Sequence, residues 1–248
     1  MNRYFLQAGA WDEHTLTLTD EEAHHATRVM RVNEGEKVEL FDGEGQSAIC
    51  TVTQATRQSV ECKVESTNSQ PRDKHPITLC QAIPKGGNME LIVQKAVELG
   101  VSEILPLITA HTVARPEALS KKREKWQRIA LEACKQCGQN HLPNILTPAT
   151  FSEWIKTDST ADTKLIAALD PQAQHLKKLL EEKPITGSVD LLVGPEGDFS
   201  PSEYSLAYGV GYTPISFGDI VLRVETATLY GLSILRHELS AIQWPHSN

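Results

Sequence analysis

With 248 residues the chain can hold one large domain, or a small domain beside a medium one, with ample core. Hydrophobic residues at 40% and charged residues at 23% are ordinary for a globular protein, and no run approaches the ~20 apolar residues of a bilayer span. The net charge of −8 weighs mildly against a nucleic-acid partner, although the distribution of charge can overrule its sum.

The opening MNRYFLQAGAWDEH carries one arginine and no apolar h-region, so it does not read as a secretory signal. Five cysteines without an export signal point to reduced thiols and a cytoplasmic location. Thr19-Asp20-Glu21-Glu22 has capping-box spacing and predicts a short helix through Arg31, ended by Asn33 to Gly35. Lys37–Phe41, the turn Asp42-Gly43-Glu44-Gly45 and Ser47–Thr53 predict a hairpin, and Ser59–Glu65 a further strand. Residues 1–72 thus read as a small, mainly β domain, and the polar stretch Ser66–His75 as a linker.

Over residues 73–248 strand and helix patterns alternate. Strands are expected at Ile77–Ile83, Glu103–Thr109, Lys164–Leu169, Val189–Val193 and Pro214–Phe217. Helices are expected near Asn88–Leu99, Ser120–Cys137, Gln172–Glu181, Pro201–Tyr208 and Glu225–Leu239. Such alternation makes an α/β domain with a mostly parallel sheet, whose ligands sit beyond the carboxyl ends of the strands. The loops after Leu169, Val193 and Phe217 therefore matter most. Between Arg115 and Lys135 seven basic residues face three acidic ones, a local excess on a predicted helix that a solvated face explains as well as RNA does.

Two loops carry candidate chemistry. Gly194-Pro195-Glu196-Gly197-Asp198 leaves a buried strand and enters a helix capped by Ser200 with Pro201 at its first position. Two glycines around a proline make a tight turn with exposed backbone groups that can read an adenine edge, or simply a tight connection. The second loop, Phe217-Gly218-Asp219-Ile220-Val221-Leu222-Arg223, places Phe217, Ile220 and Leu222 as pocket walls, with Gly218 allowing close backbone approach. Arg223 can hold a phosphate or stabilise an oxyanion, whereas Glu225 can be an ordinary acid at a helix N-terminus. No Gly-x-Gly-x-x-Gly or Walker A sequence supports a dinucleotide or nucleoside-triphosphate site.

Taken together, Gly194-Pro195-Glu196-Gly197 and Phe217-Gly218 with Ile220–Ala227 resemble the two signature loops of the SPOUT methyltransferases. The branch they resemble is the family of 16S rRNA uridine N3-methyltransferases, and supporting stretches match in order: His24–Arg31, Gln94–Val101 and Glu132–Gln136. Two departures are Asp198, where many members have glycine, and Ile220-Val221, where Arg-Ile is frequent.

That resemblance implies a PUA-like β-barrel domain at the N-terminus and a SPOUT α/β domain with a trefoil knot, a rare exception to unknotted topology. It implies S-adenosylmethionine as cofactor, a homodimer, and N3-methylation of a uridine near the 3′ end of 16S rRNA in the small ribosomal subunit. Leu169, Gly194, Pro195, Glu196, Gly197, Phe217, Gly218, Ile220 and Leu222 are then expected to bind the cofactor. Arg223 is expected to stabilise the uracil anion, Glu225 or Glu196 to take its proton, and His24, Arg28 and Arg31 to meet RNA. Other SPOUT reactions, on ribose 2′-hydroxyls or transfer-RNA bases, and a non-catalytic ribosome-assembly role are the alternatives.

Other features explain themselves without function. Adjacent His24 and His25 point about 100° apart on a helix and lack further ligands, so no metal is expected. Cys134-x-x-Cys137 lies late in a helix, away from the N-terminal position that stabilises a thiolate. Lys95 with Glu98, and Glu132 with Gln136, read as helix-surface pairs, and Trp126, Ile129 and Ala133 as an apolar face.

Overall fold

A computed structural model of the chain describes residues 1–113, 119–157 and 159–243. It divides into two compact units, Met1–Arg72 with Leu131–Leu142, and Asp73–Ala130 with Pro143–Asn248.

The first unit rests on strands of period two. In β2 (Thr15–Thr19), Leu16 and Leu18 are buried while Thr15 and Thr19 are exposed, so one face is committed to the core. With β1 (Asn2–Phe5), β3 (Lys37–Phe41), β4 (Gln46–Ala55) and β5 (Ser59–Ser69) it forms a sheet of order β1-β3-β4-β5-β2. Only the β1–β3 pairing is parallel. In the β3–β4 turn the Asp42 carboxylate accepts from the backbone N–H groups of Glu44 and Gln46 at 2.7 and 2.9 Å. Gly45 there has φ +114°, and a Cβ would stand 2.5 Å from the Gln70 carbonyl oxygen, so only glycine fits.

Two sequence expectations fail in this unit. The first four residues of the supposed linker, Ser66 to Ser69, continue β5 because they pair with Gln46–Ile49 of the long strand β4. Thr19 forms no capping box at α1 (Asp20–His24): its hydroxyl donates to Asp20, and Glu22 instead accepts from the Phe5 backbone N–H and pairs with Lys135. The helix then widens into a π turn over His25–Val29 and stops before Arg31, whose φ is +54°.

The second unit begins with β6 (Ile77–Ala82), α2 (Asn88–Glu98), β7 (Glu103–Ile108) and α3 (Leu119–Cys137), of which the part from Leu131 belongs to the first unit. Then follow β8 (Asn144–Ile145), β9 (Ala149–Thr150), α4 (Phe151–Trp154), β10 (Thr163–Ala167), β11 (Gln174–His175) and α5 (Leu176–Glu182). Last come β12 (Val189–Val193), α6 (Pro201–Gly209), β13 (Thr213–Ser216) and α7 (Val224–Gln243). Among the described residues the strands pair in the order β11-β13-β10-β12-β6-β7-β8, with β9 also on β7, and every pairing is parallel. All five residues of β12 are buried, as a central parallel strand covered on both faces requires. The helix expected from Gln172 starts later, at Leu176, because Gln174 and His175 join the sheet edge and the His175 ring caps the helix. At α6, Ser200 and Glu203 form a reciprocal capping box behind Pro201, which fixes where the chain leaves the preceding loop.

Candidate functional site

Parallel pairing puts the carboxyl ends of β10, β12 and β13 on one edge of the sheet. Ala167 stands in register with Val193 on one side and Ile215 on the other, so the three following loops open at the same level. They enclose one cavity of about 860 Å³, within the usual range of roughly 300–1,000 Å³ for small-molecule sites. Of the residues expected to bind a cofactor, Leu169, Gly194, Pro195, Glu196, Phe217, Gly218, Ile220 and Leu222 line it, as do Arg223 and Glu225. Gly197 is not on this wall: a Cβ there would meet the His111 side chain at 3.0 Å, so it accommodates the loop after β7.

The first of these loops is closely held. Asp198 donates its N–H to the Pro195 carbonyl at 2.9 Å, closing a four-residue turn. Gly194 is buried, and a Cβ would stand 3.1 Å from the Phe199 ring. Both carboxylate oxygens of Glu196 accept from the Lys85 backbone N–H, at 3.0 and 3.3 Å. Tyr204 donates to Asp198 at 2.7 Å and Tyr208 to Asp170 at 2.9 Å, so two further wall carboxylates are fixed by hydroxyls. Burial pushes the Tyr208 hydroxyl up to about 12, and the Asp170 carboxylate adds to the shift. Burial and Asp198 raise Tyr204 as well, so both tyrosines remain proton donors at neutral pH.

The loop after β13 is different. Gly218 needs its freedom for a φ of +117°, and no atom lies within 4 Å of where its Cβ would stand. Ile220 and Val221 are 79% and 71% exposed. Arg223 accepts the Ala227 N–H at 2.8 Å through its carbonyl as α7 begins, but its guanidinium bonds to none of the described residues. Glu225, in the first turn of α7, accepts from the Asn88 amide at 3.3 Å.

Three residues that sequence reasoning passed over support this arrangement. Gln81 and Thr228 are fully buried, and the Thr228 hydroxyl donates to the Gln81 carbonyl oxygen at 2.6 Å. The Gln81 amide in turn reaches the Val193 carbonyl at 3.5 Å, tying α7 to the strand that delivers Gly194. Asn88 opens α2 and lines the cavity. An amide in an otherwise largely apolar strand, as Gln81 is in β6, was the available signal.

The remaining candidates lie elsewhere. His24, Arg28 and Arg31 are exposed in the first unit, beside exposed Val29 and Met30, and none bonds to a described residue through its side chain. Arg115 of the basic stretch lies outside the described residues. Lys135, from the same stretch, is neutralised by Glu22 and Glu132. Cys134 is buried, which pushes its thiol up to about 12, while Cys137 is exposed. No group of three or more metal-ligating side chains occurs among the described residues, and no described helix is long and apolar enough to cross a membrane.

Comparison with known proteins names this combination. An RNA methyltransferase domain model matches residues 71–236, and an RNA methyltransferase PUA domain model matches residues 18–65. The ribosomal RNA small subunit methyltransferase E of Synechocystis is 32% identical over 225 residues, covering 89% of this chain and 72% of that protein. The protein of the same name from Bacillus subtilis is 28% identical over 253 residues, 98% of this chain and 99% of the other. A crystal structure of the Neisseria gonorrhoeae protein of this name, bound to S-adenosyl methionine, superposes with a TM-score of 0.86 at 29% identity over 96% of this chain and 97% of that one. With both of its units accounted for in chain order, the chain belongs to the ribosomal RNA small subunit methyltransferase E family.

Proposed function

We propose that this protein uses S-adenosylmethionine to methylate N3 of a uridine near the 3′ end of 16S rRNA, acting on the small ribosomal subunit in the cytoplasm. One observation carries the reading: three strand-to-helix loops meet at one cavity whose wall holds a cation, Arg223, with no partner among the described residues. The residues present fit the cofactor. Leu169, Ile220, Leu222 and Phe217 offer apolar surface to an adenine, Gly194 and Pro195 offer backbone at a close approach, and carboxylates face a cationic ligand.

The cofactor supplies an electrophilic methyl group on a sulfonium. Everything else falls to the chain. Uridine N3 is a poor nucleophile until it loses its proton, so the anion needs a donor beside the uracil oxygens. Arg223 supplies it, since no carboxylate among the described residues pairs with it. Glu225 takes the proton. Glu196 is less suited, because both of its oxygens already accept from Lys85 and its task is to hold the turn. Residues 1–72 form the RNA-binding PUA-like domain, with His24, Arg28 and Arg31 at phosphates, and residues 73–248 the SPOUT domain with its trefoil knot and cofactor site. Exposed Ile220, Val221 and Tyr230 suit cover by a second copy in a homodimer.

Mass mapping of rRNA from cells with and without the gene tests the assignment. A 3-methyluridine near the 3′ end of 16S rRNA should disappear with the gene and return with the wild-type copy. An unchanged map, or loss of a ribose or transfer-RNA methyl group instead, would overturn it.

A further inference from the structure

The cavity wall is more acidic than a net-neutral ligand calls for. Asp170, Glu196, Asp198 and Glu225 line it, against Arg223. Among the four carboxylates, Asp198 stands apart by its backbone. Its φ is +58°, a left-handed conformation in which a glycine would sit with less strain. The side chain is held all the same: Oδ1 accepts from the Phe199 backbone N–H at 2.9 Å and from the Tyr204 hydroxyl at 2.7 Å. Tyr204 is itself locked between aromatic neighbours, with ring centroids 5.6 Å from Phe199 and 5.7 Å from Tyr208. The second oxygen, Oδ2, accepts no hydrogen bond from the described residues. Asp198 is half-buried, where charge is screened less than at an open surface.

We propose that Asp198 is a specificity-determining residue that makes this cavity prefer the cationic methyl donor to its neutral by-product. The inference rests on the cofactor assignment made above. S-adenosylmethionine and S-adenosylhomocysteine share adenosine and amino-acid ends and differ by one methyl group and one positive charge at sulfur. Contacts to the shared parts stabilise both ligands alike and cannot separate them. A fixed carboxylate in the wall acts on the difference, favouring the sulfonium by Coulomb attraction. Once the methyl has gone, the attraction goes with it, and the spent cofactor is released more readily. Strain at Asp198 then has a purpose that glycine would not serve.

Calorimetry on the full-length protein tests this with three probes: S-adenosylmethionine, S-adenosylhomocysteine, and sinefungin, which carries an ammonium group in place of the sulfonium. Asp198→Asn keeps an oxygen for both hydrogen bonds and tolerates the left-handed backbone, so it removes charge alone. Asp198→Gly relieves the backbone, and its melting temperature verifies that the fold is intact. Both variants should lower the preference for the donor over the by-product roughly tenfold. Donor and sinefungin affinities should fall while that of S-adenosylhomocysteine stays within about twofold. Equal weakening of all three ligands, or no change in any, would overturn the role of Asp198 and leave the cofactor assignment standing. Failure of the wild-type protein to bind any of them would instead sink that assignment, and this inference with it.

Discussion

Two loops share one cavity and are built by opposite rules. Residues 194–198 are held from several sides: Gly194 against Phe199, Glu196 on the Lys85 N–H, Gly197 against His111 and Asp198 on Tyr204. Residues 217–223 expose Ile220 and Val221 and leave the Arg223 guanidinium without a partner among the described residues. The first loop is shaped before any ligand arrives, which spares a ligand the cost of ordering it. The second presents apolar surface and a charge that no described residue neutralises. Shape is thus assigned to one loop and reactivity to the other.

The largest effect should come from the open loop. Arg223→Ala should slow single-turnover methylation of small-subunit rRNA by roughly 10²–10³-fold. Its affinity for S-adenosylmethionine and its melting temperature should hardly move, since no described residue loses a partner. A matching loss of cofactor affinity would break the contrast by making Arg223 part of the preformed half.

Gly194→Ala probes the other side. The new Cβ would stand 3.1 Å from the Phe199 ring and 3.3 Å from the Asp198 carboxylate, so the turn must shift. We expect cofactor binding by calorimetry to weaken about tenfold, with ~1–3 kcal/mol of stability lost in denaturant titration. Unchanged binding would show that the turn is not the cofactor's template.

Thr228→Val tests the tie between the two loops, because it strands the Gln81 carbonyl oxygen in a fully buried position. A loss of about 1–3 kcal/mol is expected by urea unfolding. The smallest effect concerns pH. The Tyr208 hydroxyl is raised to about 12, so the folded protein keeps a proton that the unfolded chain begins to release near 10. Its contribution is complete below pH 10 and is lost as pH rises through about 12. Thermal melts from pH 8 to 11 should therefore decline less steeply in Tyr208→Phe than in the wild type.

Much of this was legible in the chain itself, and where it was not, the reasons are physical. Short-range rules succeeded wherever neighbours in sequence settle the outcome. Pro201 behind Ser200 marks a helix start, and the Asp42–Gly45 turn and the alternation in β2 follow from local conformational preferences. The same rules misjudged Thr19, because Glu22 is claimed by Phe5 and Lys135 rather than by the helix end. They also ended β5 too early, since Ser66 to Ser69 are polar and take their strand form only from the partner strand beside them.

For the site, the amino-acid sequence by itself determined the two signature loops, the alternation that places them at strand ends, and the candidate cation at residue 223. Only the tertiary structure decided that Gly197 faces His111 rather than the cavity, that Glu196 is spent on Lys85, and that Gln81, Asn88 and Thr228 support the wall. Those decisions join residues as much as 147 positions apart. Local propensity carries no information over such separations. They are settled by strand order and register, which bring distant polar atoms within bonding distance while the core closes around them.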